Sequence, residues 1–327
     1  MASSGGTKAV IAALLANIGI AITKFIAWAL TGASSMLAEA IHSVADSGNQ
    51  VLLLVGGRRA QRQATPEHPF GYGRARYVYA FVVSIVLFSV GGLFALYEAY
   101  HKYEEVHAGH PNELLEGGFW WVPILVLTAA IVMESFSFRT AIVESNHVRG
   151  RASWVEFVRH AKAPELPVIL LEDLGALLGL VFALIGVGMT VLTHNGYWDV
   201  AGTAAIGVLL VVIAVILALE MSSLLIGEGA TAENADRITA ALQETPGIDR
   251  VIHMKTLYVG PEELLVAAKV AVTPTDTASA VTETINAAEE HVREVVPEAR
   301  IVYIEPDLFR EDYVPAHLPP APEPAGH

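Results

Sequence analysis

Cysteine is absent from all 327 residues. Structural disulfides and thiolate metal sites are therefore both excluded, so a metal here must take His, Asp, Glu, Asn or backbone oxygen. Charge is scarce as well: Asp, Glu, Lys and Arg supply 17% of the chain against 53% hydrophobic residues. That balance is too apolar for an ordinary soluble enzyme of this length and reads as a membrane protein. No HExxH pattern occurs and no nucleophile has a base beside it, so an enzyme is not expected. Negative charge gathers toward the C-terminus. Residues 1–226 hold 13 Lys/Arg against 16 Asp/Glu, and residues 227–327 hold 7 against 18. An acidic tail of that kind argues against nucleic acid as a partner.

What the chain has in abundance is long apolar runs. Six of them are near the length a bilayer requires, at about 9–31, 36–56, 77–100, 120–143, 166–191 and 199–226. Basic residues collect in the second and fourth connections (Arg58, Arg59, Arg62, Arg74 and Arg76, then Arg139, Arg149, Arg151, Arg159 and Lys162). The third connection, "HKYEEVHAGHPNELLEGG", has one Lys against four Glu. By the positive-inside rule both termini are expected in the cytoplasm, as an even number of crossings requires. Trp120, Trp121, Tyr197 and Trp198 then fall at the outer interface.

After Ala230 the pattern becomes that of a soluble amphipathic domain. "TAENADRITAALQETPG" reads as a helix capped by Thr231 with Ile238, Ala241 and Leu242 on one face. "DRVIHMKTLYV" and "ELLVAAKVAV" read as a hairpin, followed by a second helix and a third strand, "ARIVYIEP". The expected organisation is a six-helix transmembrane domain over 1–227, a small α+β domain of order αββαβ over 228–308, and a disordered Pro- and Ala-rich tail over 309–327.

Two places put charge where lipid would oppose it. In the second run, "SSMLAEAIHSVADSGNQVLLLVGG", Ser35, Glu39, His42, Asp46 and Asn49 follow spacings of four, three, four and three, which is one stripe along one helix face. Such a stripe points into a protein interior. His42 and Asp46, one turn apart, can put a nitrogen and an oxygen on one ion. In the fifth run, "LPVILLEDLGALLGLVFALIG", Glu172 and Asp173 stand among small residues that let helices approach closely: Gly175, Ala176, Gly179 and Ala183. Lys24 and Glu134, also inside apolar runs, are expected to balance another charge or to snorkel.

With "SSMLAEAIHSVAD", "HPFGYGRARY", "SLLIGEGA" and "VYIEPD" in hand, the chain resembles the cation diffusion facilitators from Ile11 to Pro306. The resemblance implies six transmembrane helices with a cytoplasmic ferredoxin-like domain, a homodimer in the bilayer, and a divalent cation moved outward by alternating access in exchange for protons. Zinc is the expected substrate, with manganese, iron or cobalt as alternatives and a non-transporting metal sensor as the rival reading. A multi-pass protein of the cell (inner) membrane follows from the same resemblance. The family's metal site uses two residues one turn apart on each of helices two and five. Helix two matches through His42 and Asp46; helix five departs, because the position four before Asp173 is Ile169. Alignment favours Asp173 as the ligand, while helical geometry centres Glu172 on the small-residue face. The expected ligands are His42, Asp46 and Asp173, with Glu172 as a fourth ligand or a proton-bearing neighbour and Asn49 in reserve. The family's two accessory sites look altered, with Thr65, His68 and Tyr72 in the loop after helix two and Tyr303-Ile304-Glu305 near the last strand.

Overall fold

The computed structural model describes residues 2–31, 34–110 and 120–311; the side chains of residues 2–9, 27–28, 30–31, 34–39 and 41–42 fall outside that description. It divides into two compact units, Met1–Gly227 and Glu228–His327.

The first unit is helical: α1 (Ala2–Thr31), α2 (Ser34–Ala60), α3 (Ala75–His107), α4 (Trp121–Arg149), α5 (Trp154–His160), α6 (Glu165–Thr193) and α7 (Tyr197–Ile226). Among the described residues α3, α4, α6 and α7 are each long and apolar enough to cross a membrane, and α1 offers a shorter apolar stretch, Val10–Ile26. The protein is a multi-pass membrane protein. Helix α1 packs on α2, α4 and α6, while α3 packs on α2 and α7. Between α6 and α7 the backbones nearly touch. A Cβ at Gly202 would stand 2.9 Å from the Phe182 carbonyl oxygen, so only glycine fits there. Tyr77, Val83, Ile169, Leu217 and Met221 fill the interior, whereas Phe136, Leu192 and Leu219 stay exposed on the outside, where an apolar solvent suits them.

Helix α3 is continuous but opens into a wider π-type turn over Leu87–Leu93. Its two ends are pinned by charge. Arg76 forms a two-pronged pair with Glu165 at the start of α6, and Lys102 meets Asp199 of α7 at 3.0 Å. At 1.5 Å per residue these pins lie roughly 40 Å apart along the helix, about the thickness of a bilayer with its headgroup regions.

The sequence reading leaves 144–165 as a connection, yet the short helix α5 forms there. Ser153 and Glu156 make a reciprocal capping box, at 3.2 and 3.3 Å, that satisfies two otherwise orphan N–H groups. The Arg149 guanidinium covers Trp154 at 4.2 Å, and Phe157 inserts into the interior.

The second unit contains α8 (Ala232–Glu244), β1 (Ile248–Gly260), β2 (Glu263–Val272), α9 (Ala278–Val295) and β3 (Ile301–Asp307). Strand β2 is central, antiparallel to β1 and parallel to β3. The Thr231 hydroxyl caps α8 by accepting from the Asn234 N–H, and Thr277 does the same for α9. Leu264, Val266, Ala268 and Val270 alternate along β2 into one buried layer with Ile238, Ala241 and Leu242 of α8 and Ala288 and Val292 of α9. Phe309 lies beneath the Arg250 guanidinium at 4.0 Å; the rest of the expected tail, 312–327, lies outside the described residues.

Candidate metal centre

The polar stripe of α2 meets α6 at Glu172. Asn49 Nδ2 donates to Glu172 Oε1 at 2.9 Å, and Gln50 Nε2 donates to Oε2 at 3.0 Å. Residues 49 and 50 are 100° apart on their helix, so the two amides grip the carboxylate from either side. Both are buried, and so is Glu172. Asn49 Oδ1 and Gln50 Oε1 have no hydrogen-bond donor among the described residues. A buried acceptor left in that state costs about 1–3 kcal/mol, so two of them beside one carboxylate need an explanation that packing does not give.

Asp173 turns the other way, as its 100° offset from Glu172 requires. Its Oδ2 accepts from the Ser137 hydroxyl of α4 at 2.8 Å. One turn before Ser137, Glu134 is equally buried. Asp46, half-buried on α2, lies within Coulombic reach of Glu134, Glu172 and Asp173 alike. Four carboxyl groups from three helices therefore share one low-dielectric region, an arrangement that repels itself unless protons or cations intervene.

Of the sequence-derived candidates, Glu172 and Asn49 are brought into direct contact, Asp173 is placed on the α4 side, and Asp46 lies within Coulombic reach of Glu172 and Asp173. The His42 side chain lies outside the described residues, as do those of Ser35 and Glu39. Among the described residues no three His, Asp or Glu side chains gather as a ready-made metal group. Sequence reasoning missed Gln50, Ser43 and Ser137. Gln50 had a visible signal, because it falls seven residues after Ser43 and therefore on the same face; Ser137 follows Glu134 at helical spacing.

The altered accessory positions are explained locally. In the loop after α2, the His68 N–H donates to Thr65 Oγ1 at 3.2 Å, and its ring stands edge-on to Tyr72 at 4.6 Å, so these residues build a turn. On the tail sheet His253 lies opposite Lys269 in the β1–β2 register, and its Nδ1 is buried with no partner among the described residues.

A model of the cation efflux transmembrane domain matches residues 10–226. The chain belongs to the cation efflux family, the cation diffusion facilitators. Its relatives include the mitochondrial proton-coupled zinc antiporter SLC30A9 of Xenopus laevis, 30% identical over 273 residues, covering 83% of this chain and 47% of that protein. The Homo sapiens counterpart is 30% identical over 261 residues, covering 78% and 44%. Metal tolerance protein C4 of Arabidopsis thaliana is 24% identical over 256 residues, covering 78% and 54%. The chain thus spans about half the length of the curated relatives it matches. A nickel form of a MamM CTD variant is similar at 21% identity with a TM-score of 0.24, over 24% of this chain and 100% of that one. Within this cation efflux domain, the buried carboxyl groups of α4 and α6 and the half-buried Asp46 of α2 are the features that apolar helices alone do not explain.

Proposed function

We propose that the protein moves a divalent metal ion across its membrane, with zinc as the substrate and protons as the counter-ions, by alternating access in a homodimer. The reading is carried by the unpartnered, buried oxygens of Asn49 and Gln50 beside Glu172. Those atoms accept from a cation what no described protein group offers them. His42, Asp46 and Asp173 act as ligands, with Glu172 and Asn49 joining them or holding protons nearby. Family membership and the zinc antiporters among the relatives support the choice of ion.

The chemistry couples the two fluxes. Carboxylates and imidazole bind a metal only when deprotonated, so metal and protons compete for the same atoms. A site open to one side loads metal and releases protons; after the helices rock, protons displace the metal on the other side. In this reading six spans leave both termini in the cytoplasm and the protein sits in an inner cell membrane, which the basic residues of the second and fourth connections support. The tail joins two copies through its open sheet face, where Tyr303 is exposed.

Reconstitution into liposomes with a pH-sensitive dye tests this. Zinc entry accompanied by opposite proton movement is expected, and Asp46→Asn or Glu172→Gln should lower the flux at least a hundredfold while leaving a folded protein. Zinc movement that is indifferent to the pH gradient removes the antiport half. Flux that survives both substitutions removes the site. A panel of manganese, iron and cobalt ranks the ions, and a protein that binds zinc without moving it is the sensor.

A further inference from the structure

A second polar cluster lies on the α1 side of the same bundle. Asn17 and Lys24 of α1, Ser43 and Asp46 of α2, and Glu134 of α4 line a cavity of about 50 Å³ that abuts Gly175 of α6. Lys24 is 4% exposed and its Nζ donates to Ser43 Oγ at 2.9 Å. It does not snorkel. A lysine near the end of a membrane helix usually reaches for the interface, but this one turns inward to a cavity bordered by two carboxyl groups. Its ammonium is also within Coulombic reach of Glu134. Lys24 is thus a basic group already present beside Asp46 and Glu134, held by its stem and unable to leave.

We propose that Lys24 is a tethered counter-cation that competes with the transported ion, its ammonium balancing the Asp46–Glu134 cavity and being driven from it when a dication binds at Asp46. The inference rests on the transport reading above, and adds to it the residue that keeps binding from becoming too tight. Two cations within one low-dielectric cavity repel strongly, so the incoming ion meets an opposing charge. A transporter needs that opposition, because a site binding too strongly releases its cargo too slowly. Ser43 positions the ammonium, and Glu134 supplies the carboxylate to which it returns.

Zinc titrations by calorimetry on the purified full-length protein, paired with flux in liposomes, test the idea. Lys24→Gln is expected to bind zinc on the order of tenfold or more tightly and to transport it more slowly, whereas Lys24→Arg, which keeps the charge, should stay near the wild type. Structural damage would weaken binding, so the sign of the change separates the two. The double variant Lys24→Gln/Glu134→Gln should return affinity to within about threefold of the wild type, since the two charges cancel in electrostatic effect. Should Lys24→Gln fail to fold, Glu134→Gln reports the coupling from the other side: with Lys24 no longer balanced, zinc binding weakens about tenfold. Unchanged or weaker binding in Lys24→Gln, or unchanged binding in Glu134→Gln, overturns the inference while leaving the transport reading intact. A wild type that binds no zinc overturns both.

Discussion

The two units of this chain treat polar groups in opposite ways. The helical unit buries Lys24, Asn49, Gln50, Glu134, Glu172 and Asp173. The tail unit buries a layer of Ile, Leu, Val and Ala, with Thr245 as the polar member of its fully buried set among the described residues, and keeps its many acids outside. Burying charge costs several kcal/mol per ion even when partners are present. A fold optimised for stability alone has no use for that outlay, so the helical unit's interior is a working surface, whereas the tail's interior is a conventional core. Substitutions should therefore separate: polar-to-apolar changes in the first unit alter transport more than stability, and large-to-small changes in the second alter stability more than transport.

The sharpest way to break that contrast is Leu242→Ala. Leu242 is fully buried in the core that α8 shares with α9 and the sheet, and such truncations cost about 2–5 kcal/mol. Hydrogen exchange on the full-length protein should show accelerated exchange in α8, the three strands and α9, with the amides of α6 and α7 unchanged. Zinc binding measured at a temperature where the tail is still folded should remain within about twofold of the wild type. A loss of zinc binding there would mean that the tail shapes the transport site, and the division between the units would fail.

Arg76→Ala comes next, and it probes stability within the helical unit itself. The Arg76–Glu165 pair is two-pronged and largely buried, so removing the arginine strands a carboxylate against the start of α6. A fully buried pair broken this way costs about 3–5 kcal/mol, and partial solvent access reduces that to roughly 2 kcal/mol. Thermal unfolding should show the loss, and Arg76→Ala/Glu165→Gln should recover most of it. Failure of the second change to rescue the first would show that Arg76 acts through something other than Glu165.

These contrasts also mark how far the sequence alone carries. The stripe on α2 is legible because a helix repeats every 3.6 residues, so spacings of three and four identify one face without any knowledge of the neighbours. The tail is legible for the same reason: Ile238, Ala241 and Leu242 were placed on one face of α8, and all three are buried. Gln50 gripping Glu172 from 122 positions away, Ser137 on Asp173 and Arg76 on Glu165 are pairings between helices. Periodicity says which face is polar, but helix rotation and rise decide which polar group it meets. The same limit left Glu172 and Asp173 unresolved as ligands, because adjacent residues on a helix point 100° apart and only the neighbouring helices give each direction a meaning. Helix α5 escaped because a seven-residue segment is set by its capping box and by Phe157 finding the interior, not by a periodic pattern.

The smallest expected effect lies on the open face of the tail sheet, where charged groups keep access to solvent and so contribute little. Lys269 of β2 reaches Glu305 at 2.9 Å and Asp307 at 3.0 Å on β3. The hydrogen bond from Lys269 and the Leu308 N–H hold the Asp307 carboxyl below its ordinary value. A carboxyl depressed in the folded state stabilises the fold above its unfolded pKa, and that contribution disappears as pH falls through the folded value. Acid titration of the tail's unfolding should thus show a weak loss of stability below the ordinary carboxylate range, and Asp307→Asn should flatten that part of the profile while leaving stability near neutrality only slightly lower. A profile unchanged by Asp307→Asn would assign the acid sensitivity to other carboxyl groups. A large effect at neutral pH would show that charge on the open sheet face contributes to this unit as buried charge does to the helices, and the contrast between the two would be one of degree.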